Sequence, residues 1–172
     1  IGPQGARPRE LAVHIVDIDN FKDINDSLGH PVGDSLLAQI AGRIKSAAGP
    51  NVIVGRLGGD EFALLQNPSG AIAREAPLLA DRVLAAIRRP YNIDDRLLHV
   101  EASIGIAVAP ADGSDADRLI KRADLALYNV KAAGRNGYRV FEASMESAVE
   151  ERLHLTTELR QALVQQEFEL DY

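Results

Sequence analysis

Apolar residues along the chain alternate between short unbroken runs and longer stretches at helical spacing. Leu11 to Ile18 (LAVHIVDI) is rich in β-branched residues and long enough for one strand buried on both faces. Asn20-Phe21-Lys22 opens a helical segment ending near Leu28. Gly29 to Gly33 then breaks the chain. A second helix is predicted from Asp34 to near Ala48, where Leu36, Leu37, Ile40, Ala41 and Ile44 form one apolar face. After a turn at Gly49-Pro50-Asn51, Val52, Ile53 and Val54 lead into Arg56-Leu57-Gly58-Gly59-Asp60-Glu61, and Phe62 to Leu65 lead out. Two β-type runs around paired glycines predict a tight hairpin, since glycine takes φ > 0 without steric cost.

Ile72 to Arg89 reads as a helix with Leu79, Val83, Leu84 and Ile87 on its buried side, ended by Pro90. Tyr91 to Ile93 and Leu97 to Val108 are predicted strands around the turn Asp94-Asp95-Arg96. The loop Asp112 to Asp115 is placed to cap a helix from Ala116 to Ala133, Gly134 supplies its stop, and Tyr138 to Phe141 is a last strand. This order predicts an α/β (α+β sandwich) domain, with helices packed on one side of a mixed sheet. The ferredoxin-like split βαβ plan fits better than a doubly wound one, because the hairpin makes part of the sheet antiparallel. Nucleotide polymerases and cyclases share that palm architecture, which is an analogy of fold alone. From Ser144 the pattern changes: Met145, Val149, Leu153, Thr156, Leu159 and Leu163 mark an amphipathic helix of about six turns. Glu167 to Tyr172 then alternates like a first strand. The predicted organisation is a linker over 1–10, a domain over 11–142, a connecting helix over 143–166 and the start of another domain at 167–172.

Composition narrows the function classes. At 46% hydrophobic and 26% charged residues the chain can build a substantial core. A formal charge of −6 argues against a broad surface for a nucleic-acid polymer, but not against a nucleotide held through a metal ion. With no cysteine there is no disulfide, zinc–thiolate or thiol chemistry. The apolar runs fall short of the roughly 20 residues of a membrane span, and no signal peptide is visible. A cytoplasmic domain is expected, with any membrane anchor of the full-length protein outside these residues.

Candidate chemistry gathers at element ends. Asp17 closes the first strand and Asp60-Glu61 follow the hairpin turn, a common way to hold a hard divalent ion with oxygen ligands. The competing role for Asp17 is a strand-end turn residue. Asp19 is placed to cap the following helix and is read as a cap. The N–H groups of Asn20 and Phe21 at that helix start, with Lys22 beside them, could receive phosphate. Lys131 and Arg135 are four apart at the end of another helix; they would either share a face for phosphate or simply favour the helix dipole. Asn25 and Asp34 flank Gly29-His30-Pro31. A carboxylate there could accept from N1–H and N2–H₂ of guanine, although Asp34 is equally an N-cap candidate. His14, inside a strand, reads as packed or hydrogen-bonded. No Gly-x-x-x-x-Gly-Lys loop or Gly-x-Ser-x-Gly elbow is present, which argues against a P-loop NTPase and an α/β-hydrolase.

Taken together these motifs resemble the GGDEF family of diguanylate cyclases, which join two GTP into cyclic di-GMP. The signature stands as Gly58-Gly59-Asp60-Glu61-Phe62, preceded by Asp17-Ile18-Asp19-Asn20-Phe21-Lys22-Asp23-Ile24-Asn25-Asp26 and Gly29-His30-Pro31-Val32-Gly33-Asp34. It is followed by Ala123-Asp124-Leu125-Ala126-Leu127-Tyr128, Lys131 and Gly134-Arg135-Asn136. The resemblance implies that Asp17, the Ile18 carbonyl and Asp60 hold Mg²⁺ or Mn²⁺. It implies that Asn25 and Asp34 read guanine with His30 close by, and that Lys22, Lys131, Arg135 and the Asn20 and Phe21 amides hold the triphosphate. Gly58 and Gly59 let nucleotide lie against the turn, and Asp60 or Glu61 assists deprotonation. A second copy of the domain as homodimer partner is implied too. Glu151-Arg152-Leu153 through Leu163 and Glu167-Phe168-Glu169-Leu170 resemble the entry to an EAL phosphodiesterase domain, implying a GGDEF–EAL tandem. The alternative is a catalytically silent GTP-binding module that controls the EAL partner. Two departures stand out. Gly49-Pro50-Asn51-Val52 replaces the family's inhibitory Arg-x-x-Asp, implying no product inhibition there. Ile1 to Arg9 does not resemble the family's first helix, implying fewer phosphate contacts.

Overall fold

The central strand β1 (Leu11–Ile18) is buried along nearly its whole length because elements cover it on both faces and both edges. In the computed structural model, which describes residues 10–147, it pairs antiparallel with β3 (Glu61–Gln66) on one side and β6 (Ala102–Ala109) on the other. β2 (Val52–Gly58) pairs antiparallel with β3 and forms one edge. The other edge is β7 (Gly137–Val140), which runs parallel to β6. The sheet order β2-β3-β1-β6-β7 bears out the ferredoxin-like expectation. Contacts divide the chain after Phe141, so the fold described is that of the first unit. The expected linker before residue 10, and the connecting helix and domain start from residue 148 onward, lie outside the described residues.

Three helices lie against one face. Val16, Ile18, Phe62, Leu64, Ile104 and Ile106 share a core with Phe21 of α1 (Phe21–Leu28), Leu36, Ile40 and Ile44 of α2 (His30–Ala48), and Leu79, Val83 and Ile87 of α3 (Ile72–Ile87). The fourth helix, α4 (Ala116–Ala132), takes the opposite face, with its backbone directly over Gly105 of β6. The expectation of helices on one side is therefore corrected. β6 is buried at all its positions, and a strand so apolar on both faces needs a layer on each.

Local boundaries differ from expectation at two places. α2 begins at His30 rather than Asp34, because Pro31 sits in the first turn, where its fixed φ suits a helix, and the break shrinks to Gly29 alone. Asp34 is thus inside the helix and not its cap. The predicted strand 97–108 is two: β5 (Arg96–Leu98) pairs with β4 (Tyr91–Ile93) in a separate ribbon, and β6 joins the main sheet. Asp115 does cap α4, accepting from the Arg118 N–H at 2.9 Å.

His14 sits in the middle of β1, 1% exposed, with Nε2 3.0 Å from Gln66 Oε1. Burial lowers its pKa to about 4 from 6.5, against the opposing pull of Gln66. The folded state therefore binds fewer protons than the unfolded chain between those values, so stability is full above pH 6.5 and falls as pH drops toward 4. By linkage the loss from this group is about 3 kcal/mol. Urea unfolding at pH 7 and pH 4 should show that loss in the wild type and not in a His14→Leu/Gln66→Leu double variant, which removes both partners together. Equal pH dependence in the two proteins would remove His14 as the cause.

Candidate active site

β1 delivers Asp17 to the sheet face that carries α4, opposite Glu61 on β3 and Ser103 on β6. The next N–H, of Ile18, donates to the Asp60 carbonyl at 3.3 Å, which stitches the strand end to the hairpin. That hairpin pairs Gly58 with Glu61 and leaves Gly59-Asp60 as a two-residue turn, with a register shift between Arg56 and Gly58. Only Gly59 has positive φ, at 50°; Gly58 closes β2 without it, so the turn requires one glycine and not both. A Cβ added at either position meets nothing within 4 Å, so the turn faces open space. Arg56, to which the sequence assigned no role, braces the turn by donating from Nε and Nη2 to the Gly59 carbonyl at 2.9 and 2.6 Å.

From the last turn of α4, Lys131 Nζ lies 2.7 Å from Asp17 Oδ2. Burial pushes the Asp17 carboxyl above its usual range, Lys131 pulls it down, and the charges of Asp60 and Glu61 push it up again. Asp124, one helical face along from Lys131, is likewise raised by burial and lowered by Lys131. Asp17, Asp60, Glu61 and Lys131 thus meet at one corner. Its acids are crowded enough to oppose ionisation of Asp17, and a cation there would relieve them. Among the described residues no group of three or more His, Asp or Glu side chains is set to hold a metal. The ligands that the resemblance implies, Asp17, Asp60 and the Ile18 carbonyl, would offer a hard divalent ion the oxygen donors it prefers.

The other predicted residues fall into two places. Asn25, half-buried on α1, rests its Oδ1 against Gly33 of α2, and that oxygen is buried without a hydrogen-bond partner among the described residues. Asp34 follows Gly33 and is exposed, as is His30 at the start of α2. Gly33 is the tightest point. A Cβ there would sit 1.9 Å from Asn25 Oδ1 and 3.1 Å from Phe21 Cζ. Gly33→Ala should displace the Asn25 side chain, which can swing, while leaving the backbone in place. Titration with GTP should then show affinity lower by about tenfold, the loss of roughly one neutral hydrogen bond, with little change in melting temperature. Unchanged affinity would detach Asn25 from nucleotide binding. At the start of α1, Asn20 has φ 56° and Lys22 is exposed; no ion pair among the described residues joins Lys22 to Asp17, which pairs with Lys131.

Two sequence readings are corrected. Asp19 does not cap α1, which has no side-chain cap. Its carboxylate instead accepts from Ser103 Oγ at 2.8 Å and from the Asn136 N–H at 3.1 Å. Arg135 does not share a helix face with Lys131. It lies past the end of α4 with φ 65°, its Nε 4.0 Å from Asp19. Ser103, Asn136, Glu101 and Arg88 belong to this network and were missed as contributors, since their partners lie far away in sequence.

Comparison with known proteins identifies the family. The family model described as "Diguanylate cyclase, GGDEF domain" matches residues 3–137. The chain is 42% identical over 167 residues to the bifunctional diguanylate cyclase/cyclic di-GMP phosphodiesterase MucR of Pseudomonas aeruginosa, covering 95% of this chain and 24% of that protein. It is 39% identical over 166 residues to the cyclic di-GMP phosphodiesterase NbdA of the same organism, covering 96% of this chain and 21% of that protein. The crystallised GGDEF domain of TpbB (YfiN) from Pseudomonas aeruginosa superposes with a TM-score of 0.79 at 36% identity, covering 83% of each chain. The chain spans about a quarter of the length of these curated relatives. It belongs to the GGDEF family of diguanylate cyclase domains.

Proposed function

We propose that this domain condenses two GTP into cyclic di-GMP and two pyrophosphates as one half of a two-fold dimer. The observation that carries the reading is the corner where Asp17, Asp60, Glu61 and Lys131 meet beside an open turn. Each domain holds one GTP. The ribose 3′-oxygen of one attacks the α-phosphorus of the other, the bond to the β-phosphate oxygen breaks, and pyrophosphate leaves; the reciprocal step closes the ring. Asp60 or Glu61 takes the hydroxyl proton. Asp17, the Ile18 carbonyl and Asp60 would hold Mg²⁺ or Mn²⁺, which would supply charge neutralisation at phosphorus and a lowered hydroxyl pKa. Lys131 exchanges Asp17 for phosphate when nucleotide binds, and Arg135, Lys22 and the Asn20 and Phe21 amides share the triphosphate. Asn25 and Asp34 read guanine beside His30, and the unpartnered Asn25 oxygen supports this, because a buried acceptor calls for a donor. Gly58 and Gly59 leave the space in which the nucleotide lies.

The domain boundaries (11–142, a connecting helix to 166, an EAL domain from 167) are part of the same proposal, as is absence of inhibition by cyclic di-GMP at 49–52. There Gly49 ends α2 and Asn51 Nδ2 bonds Ser69 Oγ at 2.9 Å, with no arginine or aspartate in the segment. The test is to incubate the purified chain at high concentration, and separately the whole protein, with GTP and Mg²⁺ and to measure cyclic di-GMP. No product from either ends the reading. A second reading, a silent GTP-binding module that governs an attached EAL phosphodiesterase, draws support from the likeness to NbdA. Tight GTP binding without turnover, together with GTP-dependent phosphodiesterase activity, would select it. If Asp34→Ala leaves that dependence intact, it is discarded.

A further inference from the structure

Three consecutive residues after α4, Gly134, Arg135 and Asn136, have positive φ, of 115°, 65° and 54°. Glycine adopts this freely and asparagine more readily than most, but Arg135 does so at a cost that surrounding contacts must offset. The contacts converge on Asn136. Its N–H donates to Asp19 Oδ2 at 3.1 Å, its Nδ2 donates to Glu101 Oε1 at 2.6 Å, and Arg88 donates to its side-chain and main-chain oxygens at 2.9 and 3.1 Å. Asp19 itself is fixed from two sides. Its N–H donates to the Glu101 carbonyl at 3.0 Å and its Oδ1 accepts from Ser103 Oγ at 2.8 Å. Its side chain is 2% exposed, whereas the Arg135 side chain beside it is 49% exposed, with Nε 4.0 Å from Asp19 Oδ1.

A buried carboxylate is costly unless hydrogen-bonded, and this one spends its bonds on β6 and on the turn after α4, not on capping α1. We propose that Asp19, through Ser103 and Asn136, is the positioning residue of the triphosphate subsite. It holds the strained turn from which Arg135 reaches the β- and γ-phosphates and touches neither nucleotide nor metal. Asp17 in β1 and Asp19 just past its end thereby divide the labour at the end of α4: Asp17 meets Lys131 directly, and Asp19 sets the aim of Arg135 through the Asn136 backbone and a 4.0 Å contact to Arg135 Nε. This inference rests on the GTP-binding reading above.

Binding rather than turnover separates the two. The purified chain is titrated with a non-hydrolysable GTP analogue and with GMP, which lacks the β- and γ-phosphates, for wild type, Asp19→Asn, Arg135→Ala and the double variant. Asp19→Asn is expected to weaken the GTP analogue about tenfold, the scale of a hydrogen bond to a charged group, and to leave GMP within about twofold. The double variant should bind no worse than Arg135→Ala alone, because both act through one side chain. Equal loss for GMP, or fully additive losses in the double variant, would overturn the proposal. If Asp19→Asn does not fold, Ser103→Ala, which removes one bond and leaves Asn136 held, decides it by the same ratio, with a loss of about fivefold expected. Failure of the wild type to bind either nucleotide would instead defeat the GTP reading itself.

Discussion

Replacing Asp17 with Asn should lower cyclic di-GMP formation by about 10³-fold or more while leaving the melting temperature unchanged or raised. The activity loss follows from the role proposed for this carboxylate, since removing one centre of transition-state charge stabilisation typically costs several kcal/mol. The stability side follows from its surroundings. Burial and the neighbouring charges of Asp60 and Glu61 disfavour the ionised form more than Lys131 favours it, so its pKa is raised. A neutral side chain of the same shape removes that crowding. It gives up the 2.7 Å ion pair, but Lys131 is about a third exposed and keeps access to water. The pair of measurements is initial rates with GTP and Mg²⁺ alongside thermal unfolding of the same preparations. A variant that loses activity only in proportion to a lower melting temperature would make Asp17 a structural residue. Such a split, stability gained where activity is lost, is expected at a site whose charges are arranged for a ligand.

Gly105→Ala should be the most destabilising small substitution in the fold. A Cβ at this position would lie 2.0 Å from the Ala123 carbonyl oxygen, 2.4 Å from the Leu127 nitrogen and 2.8 Å from Leu127 Cβ. These are backbone and near-backbone atoms of α4, so no rotamer change can make room. The helix must move off the sheet. Overpacking of this kind costs about 3 kcal/mol or more, a large share of a typical domain stability of about 5–15 kcal/mol. Chemical denaturation should show the midpoint falling with little change in slope. Because α4 carries Lys131, any folded fraction should also bind GTP less well. A midpoint close to that of the wild type would mean that the close approach of α4 is not maintained in solution.

The contrast between Gly59 and Gly105 shows what was legible and what was not. Gly59 sits between two β-type runs and ahead of two acids, and local rules identify its turn. Gly105 sits inside a run of small apolar residues, where nothing local signals that a helix backbone eighteen or more positions later will rest on it. The same divide separates Asp17 from Asp19. Both are acids near a strand end, and Asp19 before a helix start has the pattern of an N-cap. It became the clamp on Asn136 because β7 returns in parallel beside β6, with Gly137 opposite Ser103, and brings a distant turn to it. The start of α2 was misplaced for a different reason. Gly29, His30 and Pro31 all look like breakers, yet proline within the first helical turn is favoured.

By itself the sequence determined most of the elements, the antiparallel hairpin, the acids at its turn and the family to which the chain belongs. Each of these depends on short-range terms: φ restrictions, apolar periodicity, and residue types at fixed spacing. The tertiary structure alone decided that α4 takes the opposite face of the sheet and that Lys131 pairs with Asp17. It also decided that Asp19 spends its charge holding a strained turn. Those are outcomes of packing and of satisfying buried polar groups, and a buried carboxylate bonds to whatever donors the fold brings within reach, however far away in the chain they begin.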